Sequence, residues 1–284
     1  MFAPCRGPYE AIAYPAASAI KAPARAEAKP SFYRKEFAVL GEPISEDLRL
    51  RVLVLLPAHN EAATIERVLE GLRRAAPSFD RLVIDDASTD GTAAIVESLG
   101  ESQLRLPCQL GYGGALQTGV RYAIDAGYDI VVFLDADGQH RPEDVPRLVS
   151  RLEEGEADVV IGSRYVRGQV YQGPFGRRMG QRVLSVLSGL MTGRRIYDTT
   201  SGLKAMRAKA SHILTAGTFH DFHVEALVKW KLLGFSIDEV PVSVREREHG
   251  KSMHGWKSAI VYPLKTLLLT LVAATDAWIE RGRT

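Results

Sequence analysis

The run RVLVLLP, residues 51–57, opens the pattern that decides the fold of this 284-residue chain. It is a short apolar segment of strand length, and an amphipathic helix is expected over residues 64–75. The order repeats with RLVIDD at residues 81–86 and a helix over 91–99, and it continues as far as DVVIGS at 158–163. Strands that alternate with helices predict a Rossmann-like α/β fold, with a mostly parallel central sheet and helices on both faces.

The regions on either side of this pattern differ from it in composition. Residues 1–48 are rich in Ala and Pro and show no sustained periodicity, which predicts a flexible arm. Residues 253–284 hold a long apolar stretch flanked by Trp256 and Trp278, which favours an amphipathic helix that associates with a membrane surface. Burial of this helix against the α/β domain or a second subunit remains the alternative. The α/β domain is expected over residues 49–252.

The sequence does not predict secretion or a membrane span. Prolines and charges interrupt every apolar run before Val52, so no signal peptide is expected. The longest apolar run, residues 260–274, would rise about 22 Å as a helix, which is shorter than a hydrocarbon core of about 30 Å. We therefore expect a cytoplasmic protein that lies peripherally on the inner face of the membrane.

The charge composition limits the classes of partner. The 36 basic and 34 acidic residues nearly cancel, whereas bulk binding of nucleic acid usually requires a strongly basic domain. The basic residues are unevenly spread, since ten of them and only one acid, Asp198, lie between Arg164 and Lys209. This predicts a surface that meets anions and no nucleic-acid partner.

Two carboxylates follow the strand DIVVFLD, residues 129–135, and ligands of such sheets bind beyond the carboxyl ends of the strands. Asp135 and Asp137 emerge there on a short turn, and Gly138 permits the bend. Oxygen ligands of this kind suit Mg²⁺ or Mn²⁺. The pair is therefore a candidate metal site, at which the ion would neutralise a diphosphate leaving group.

Polar residues also end the first two strands. Asp86 at the tip of the second strand can accept a hydrogen bond from a nucleobase ring N–H. After the first strand, His59 can pack on the base and Glu61 can accept a hydrogen bond from a ribose hydroxyl. Asp90 is interpreted as a cap of the helix that follows.

The glycine-rich stretch at residues 111–114 precedes a predicted helix and can let backbone amides approach a ligand. It is not a Walker A loop, and no GxGxxG follows the first strand, so ATP hydrolysis and nicotinamide binding are disfavoured. Arg164 and Arg177 are candidate phosphate clamps, since guanidinium groups match phosphate oxygens in a bidentate manner.

Six motifs occur in order along the chain: PAHNE (57–61), DDASTD (85–90), DADGQH (135–140), GSR (162–164), DTTSG (198–202) and REHGKS (247–252). Together they resemble family 2 glycosyltransferases of the GT-A fold, and most closely the dolichyl-phosphate or polyprenyl-phosphate sugar transferase branch. The resemblance covers residues 51–252, about 0.7 of the chain. Six motifs in the right order are specific where each one alone is not.

The resemblance implies roles for individual residues. The donor nucleoside would be held by Pro57, His59, Glu61 and Asp86, with Asp135 close to it. Metal and diphosphate would be bound by Asp135, Asp137 and Gln139. The donor and acceptor phosphates would be surrounded by Gln139, Arg164, Arg177, Arg247 and Lys251. The catalytic centre is accordingly assigned to Asp135, Asp137 and Arg164.

Two features depart from the branch. The branch usually has a serine four residues after the arginine that matches Arg177, and this chain has Gln181 there. Some members also carry a pair of transmembrane helices after the position of Ser252, and no clear pair follows it here.

The function implied is that of an inverting, Mg²⁺- or Mn²⁺-dependent glycosyltransferase, which moves a sugar from a UDP- or GDP-sugar to a polyprenyl phosphate. A phosphate acceptor is already anionic, whereas a hydroxyl acceptor would need a base, for which Asp221 is the candidate. Two other classes stay open: a phosphatase of the haloacid dehalogenase type, whose nucleophile motif resembles DADG at 135–138, and a non-catalytic nucleotide-sugar binder. The sequence leaves open the sugar, the base and whether the protein is a homo-oligomer.

Overall fold

The computed structural model describes residues 50–166, 185, 186, 189, 195–215 and 222–245. The predicted arm, the predicted C-terminal helix and most of a helix expected over residues 177–192 lie outside these ranges. No helix in the described ranges combines the length and the apolar character that crossing a bilayer requires.

A single sheet of seven strands organises the described residues. The strands are β1 Val52–Ala58, β2 Asp80–Asp85, β3 Ser102–Arg105, β4 Ile130–Phe133, β5 Val159–Ser163, β6 Lys204–Arg207 and β7 Ile237–Pro241. The helices are α1 Ile65–Ala75, α2 Thr92–Ser98, α3 Gly111–Asp125, α4 Val145–Glu153, α5 Ala208–His212 and α6 Val224–Leu232. Short 3₁₀ turns precede α4 at Pro142–Asp144 and follow α5 at Ile213–Thr215.

The strand order is β3-β2-β1-β4-β6-β5-β7. All neighbouring strands pair in parallel except β6, which runs antiparallel to both β4 and β5. The predicted mostly parallel sheet is therefore confirmed, and β3 and β7 form its two edges. Strand β6 was not predicted, because its four residues include Lys204 and Arg207 and so lack the apolar run that marked the other inner strands.

Helices cover both faces of the sheet, as the alternation of strands and helices predicted. Successive side chains of β1 point to opposite faces. Leu53 and Leu55 pack in one core with side chains of α3, while Val54 and Leu56 pack in a second core with α1 and α4. Two buried layers therefore fix the sheet, and the polar residues beyond its strand ends are left at the rim.

Helix α3 begins earlier than the sequence predicted, since the glycines of residues 111–114 form its first turn instead of preceding it. Glycine weakens a helix interior, so the sequence pattern favoured a later start. The structure supplies the compensation, because the Asp86 carboxylate accepts hydrogen bonds from the backbone N–H groups of Leu110 at 2.6 Å and Gly111 at 2.8 Å. A carboxylate at a helix N-terminus stabilises that end.

Candidate active site at the carboxyl ends of the strands

The loop that follows β4 carries the predicted carboxylate pair and is held on two sides. The Thr64 hydroxyl, just before α1, donates to the Ala136 carbonyl at 2.8 Å. Within the loop, Gly138 adopts a left-handed φ of +72°, and the Gln139 N–H donates to Asp137 Oδ1 at 3.0 Å. The turn that the sequence predicted at Gly138 is therefore present, and both carboxylates lie at the end of a central strand.

Asp135 is enclosed by two further parts of the chain. The Tyr112 hydroxyl, in the first turn of α3, donates to Asp135 Oδ1 at 3.1 Å. On the other side the backbone of Gly202 packs so closely that a Cβ added there would lie 1.8 Å from Asp135 Oδ2. The orientation of this carboxylate is therefore set by Tyr112 and by the turn that contains Gly202, and only glycine fits at residue 202.

The environment of Asp135 makes its charged form costly. Burial raises the pKa of its carboxyl to about 6, and the negative charge of Asp137 adds to the rise. The Tyr112 hydrogen bond and the positive charge of Lys204 act in the opposite direction. Two crowded carboxylates of this kind favour a cation between them, which is the arrangement expected at a metal site.

Asp135 and Asp137 are the predicted oxygen ligands for a metal ion at this site. Within the described ranges, no three His, Cys, Asp or Glu side chains group closely enough to hold an ion on their own. Mg²⁺ is commonly bound by one or two carboxylates together with substrate phosphates, and carboxylate oxygens also suit Mn²⁺. Asp135 and Asp137 therefore fit an ion that is completed by the diphosphate of a donor.

The ends of β1 and β2 form a second group of polar residues beside the carboxylates. His59 Nδ1 lies 2.7 Å from the Asp86 carbonyl oxygen, so this ring nitrogen donates. The Asn60 side-chain oxygen accepts from the Thr89 N–H at 2.8 Å. Asn60 and Ala87 have left-handed φ values of +58° and +56°, a strained backbone for residues other than glycine. Such strain is concentrated at functional sites, and here it lies where the nucleoside was predicted.

The residues predicted to hold the nucleoside lie together at this edge. Pro57 is in β1 and pairs with Ile84 of β2. The half-buried Glu61 follows, and one of its carboxylate oxygens lies 3.1 Å from the Thr64 hydroxyl oxygen. The Asp86 carboxylate accepts the two backbone bonds at the start of α3 described above. Its role with a nucleobase remains a prediction, and its structural role is one that the sequence did not indicate.

Arg164 is committed to a buried ion pair. Its Nε and Nη2 donate to the two carboxylate oxygens of Asp198 at 2.7 and 2.8 Å, and Nη2 also donates to the Thr200 hydroxyl at 2.9 Å. Burial alone would raise the pKa of Asp198, but the Arg164 hydrogen bonds and charge outweigh it and hold this pKa below its ordinary value. Arg164 therefore anchors the turn that presses Gly202 against Asp135, and its predicted contact with phosphate remains a prediction.

Replacement of Asp198 by Asn is expected to lower the free energy of unfolding by about 3–5 kcal/mol, because it leaves the buried guanidinium of Arg164 without a counter-charge. Urea denaturation measures this change. Lys209→Ala is the matched control, since Lys209 pairs with Asp158 through a side chain that is 63% exposed and should cost less than about 1 kcal/mol. Equal effects of the two variants would contradict the structural role of the buried pair.

Two buried basic residues of this region were not assigned roles from the sequence. Lys204 is 1% exposed and lies on β6, and His140 is 5% exposed and ends the carboxylate loop. Burial, followed by the positive charge of Arg164, lowers the pKa of His140 to about 3, so its ring is neutral. A lysine inside the apolar segment GLKAM was the available signal for Lys204, but the strand that carries it was itself missed.

The carboxylate loop is also tied to the segment after β7. The Gln139 carbonyl accepts from the Arg245 N–H at 2.9 Å, and His140 forms an isolated antiparallel bridge with Val244. Arg245, the donor of this bond, lies two residues before Arg247 in the sequence. The remaining predicted phosphate and base residues lie outside the described ranges, so their positions stay predictions: Arg177, Gln181, Asp221, Arg247 and Lys251.

The fold and the site define a class of protein. A mostly parallel sheet with helices on both faces, which presents two carboxylates at the end of a central strand beside the polar ends of β1 and β2, is the arrangement of a glycosyltransferase of the GT-A type. The chain belongs to glycosyl transferase family 2, whose family model matches residues 53–214.

Two relatives lie within the branch that the motifs resemble. The chain is 36% identical over 213 residues to the undecaprenyl-phosphate mannosyltransferase of Micrococcus luteus, with 72% of this chain and 87% of that protein covered. It is 32% identical over 213 residues to the polyprenol monophosphomannose synthase of Mycolicibacterium smegmatis, with 71% and 80% covered. The inferred resemblance is confirmed, and the chain is a glycosyltransferase.

A solved structure supports the same fold. Glucosyl-3-phosphoglycerate synthase from Mycobacterium tuberculosis, in complex with Mn²⁺, UDP-glucose and phosphoglyceric acid, superposes with a TM-score of 0.61 at 23% identity, with 80% of each chain covered. The predicted GT-A architecture is therefore confirmed.

Proposed function

We propose that this glycosyltransferase moves a sugar, with inversion, from a UDP- or GDP-sugar to a polyprenyl phosphate. The observation that carries the proposal is the carboxylate pair Asp135 and Asp137 at the end of β4, where burial and then the negative charge of Asp137 raise the pKa of Asp135 to about 6. The names of the two relatives support the acceptor class, and both indicate mannose as the first sugar to test. Family membership argues against the phosphatase and the non-catalytic binder.

A divalent ion, when bound with the donor, supplies positive charge that neutralises the departing diphosphate. The chain contributes the geometry around it. Tyr112 and the backbone of Gly202 hold Asp135 in one orientation, and the Gln139 N–H holds Asp137. The nucleoside is expected at the carboxyl ends of β1 and β2, where His59 and Glu61 lie. Fixed groups of this kind lower the barrier because little reorganisation is needed during reaction.

The proposed mechanism has no general base, because the proposed acceptor is a phosphate. A phosphate monoester oxygen is anionic at neutral pH and can attack the anomeric carbon without giving up a proton in that step. A hydroxyl acceptor would require a general base, and Asp221 remains the candidate for that second possibility. Arg177, Arg247 and Lys251 are proposed to hold the acceptor phosphate. The predicted helix of residues 253–284 is proposed to bring the site to a membrane surface that contains the lipid.

Binding of Mn²⁺ in the presence of a nucleoside diphosphate is expected to weaken by about tenfold between pH 7 and pH 5, since the ion must displace the proton of Asp135, whose pKa is about 6. The sign follows from the raised pKa, because the carboxyl gains its proton as the pH falls through 6. Titration of Mn²⁺ by electron paramagnetic resonance measures the affinity.

Tyr112→Phe is the informative comparison for this pH dependence. It removes a hydrogen bond that lowers the pKa of Asp135, so the decline in affinity should begin at higher pH. An affinity that stays constant from pH 7 to pH 5 in the wild-type protein would contradict the assignment of Asp135 as a ligand.

The donor class is tested by thermal stabilisation with a panel of UDP- and GDP-sugars, each with Mn²⁺, with Mg²⁺ and with neither. A ligand that binds only the folded state raises the melting temperature. A metal-dependent rise with one nucleotide class, which is lost in Asp137→Ala, would support the proposal and identify the base. No rise with any member of the panel would contradict it.

A further inference from the structure

Lys204 is a buried cation that the proposed mechanism does not use. It occupies the central antiparallel strand β6, paired with Phe133 of β4 and Ile161 of β5, and only 1% of it is exposed. Lysine is almost never fully buried unless its charge is compensated, because loss of hydration is costly. Its retention in the middle of the sheet calls for a specific role.

Two contacts of the Lys204 ammonium group concern the surroundings of Asp135. It donates to the Ser201 carbonyl oxygen, and it lies 3.3 Å from His223 Nδ1. An ammonium group can only donate, so His223 Nδ1 accepts and the ring of His223 carries its proton on Nε2. Lys204 therefore fixes the turn that contains Ser201 and also the orientation of the His223 ring.

Each of these two groups adjoins a residue that contacts Asp135. Gly202 follows Ser201, and its backbone packs against Asp135 Oδ2. The His223 ring stacks on the Tyr112 ring, with centroids 5.4 Å apart and an interplanar angle of 17°. Tyr112 in turn donates to Asp135 Oδ1 at 3.1 Å. Lys204 therefore contacts both the Ser201–Gly202 turn, which packs on one oxygen of the Asp135 carboxylate, and the His223–Tyr112 stack, which bonds to the other.

We propose that Lys204 is a positioning residue, which holds the Ser201–Gly202 turn and the His223–Tyr112 stack against Asp135 so that this carboxylate meets the metal and diphosphate in one orientation. The inference rests on the proposed function, since it assumes that Asp135 binds a metal ion. It adds a role for three side chains, Lys204, His223 and Tyr112, that neither the motifs nor the relatives assign.

The direction of the effect separates this role from a purely electrostatic one. The positive charge of Lys204 acts on Asp135 and would repel a divalent ion bound there. If charge were its only contribution, its removal would strengthen Mn²⁺ binding. If Lys204 positions the carboxylate, its removal weakens Mn²⁺ binding despite the lost repulsion.

The test uses Lys204→Met, which keeps an unbranched apolar side chain, one atom shorter, and removes the ammonium group. Mn²⁺ affinity is measured by electron paramagnetic resonance, with Mn²⁺ alone and with added UDP or GDP, on the full chain. We expect affinity to fall by about 10–100-fold in Lys204→Met, the range typical when groups that orient metal ligands are lost. His223→Phe keeps a ring against Tyr112 but removes the acceptor for Lys204, and it should weaken binding in the same direction.

Arg207→Met is the matched control, because Arg207 lies on the same strand and bonds instead to the carbonyls of Ala157 and Leu152. It should bind Mn²⁺ as the wild type does. Folded Lys204→Met and His223→Phe proteins that bind Mn²⁺ as tightly as the wild type, or more tightly, would overturn the positioning role. An equal loss in Arg207→Met would also overturn it, because general destabilisation would then account for the effect. Failure of the wild type to bind Mn²⁺ with either nucleotide would instead overturn the proposed metal site.

Discussion

Asp137→Ala is expected to reduce sugar transfer by about 10³-fold or more, since a metal ion that neutralises a departing diphosphate contributes several kcal/mol to the transition state. The fold should persist, because the half-buried Asp137 lies on a loop beyond the strand end. Transfer rates and the melting temperature, measured on the same preparation, separate the two effects. Asp125→Ala is the control, since Asp125 is an exposed carboxylate at the end of α3 and should leave transfer unchanged. Near-wild-type transfer by Asp137→Ala would contradict the site.

Gly202→Ala is expected to reduce transfer by about 10²-fold or more, because the added methyl would lie 1.8 Å from Asp135 Oδ2 and must displace this carboxylate. Misplacement of a reacting geometry by about 1 Å is enough for a loss of that size. Mn²⁺ binding should weaken in parallel, since the same carboxylate is moved. The measurements are steady-state transfer and Mn²⁺ titration.

Gly91→Ala is the matched control for that variant. Gly91 also lies at the rim of the sheet, but the nearest atoms to an added Cβ there are 3.9 Å away, an ordinary contact. It should change transfer little. If Gly202→Ala retained both transfer and Mn²⁺ affinity, the close packing of the 198–202 turn on Asp135 would have no functional meaning.

The carboxylate pair could be found from the sequence because its position depends only on local pattern. An apolar run that ends in Asp135-Ala-Asp137-Gly138 indicates both the strand and the point at which it meets solvent, and the topology of parallel sheets places that point at the ligand edge. The polar residues at the ends of β1 and β2 could be predicted in the same way, because they too follow apolar runs. Helix starts were less predictable, as α3 shows, because the cap that stabilises its glycine-rich first turn is Asp86, from a different part of the chain.

The supports of Asp135 could not be predicted for a related reason. Nothing in the order of residues shows that Arg164 pairs with Asp198, and the density of basic residues suggested an exposed anion-binding surface. Both partners are buried, and the pair anchors a turn that lies far from Asp135 in sequence. Lys204 was missed because a lone lysine in a short segment is ordinarily solvated, and only the insertion of β6 between β4 and β5 shows that it is enclosed.

The most direct test of the central claim is the transfer of labelled sugar to a short-chain polyprenyl phosphate. The wild-type protein would be given GDP-mannose and UDP-glucose in turn, with Mn²⁺, with Mg²⁺ and with EDTA, and the lipid product would be recovered by organic extraction. We predict a labelled lipid phosphate with one donor class, formed only when a divalent ion is present and absent with Asp137→Ala. Metal-independent transfer, or hydrolysis of the donor without any labelled lipid under every condition, would contradict the account.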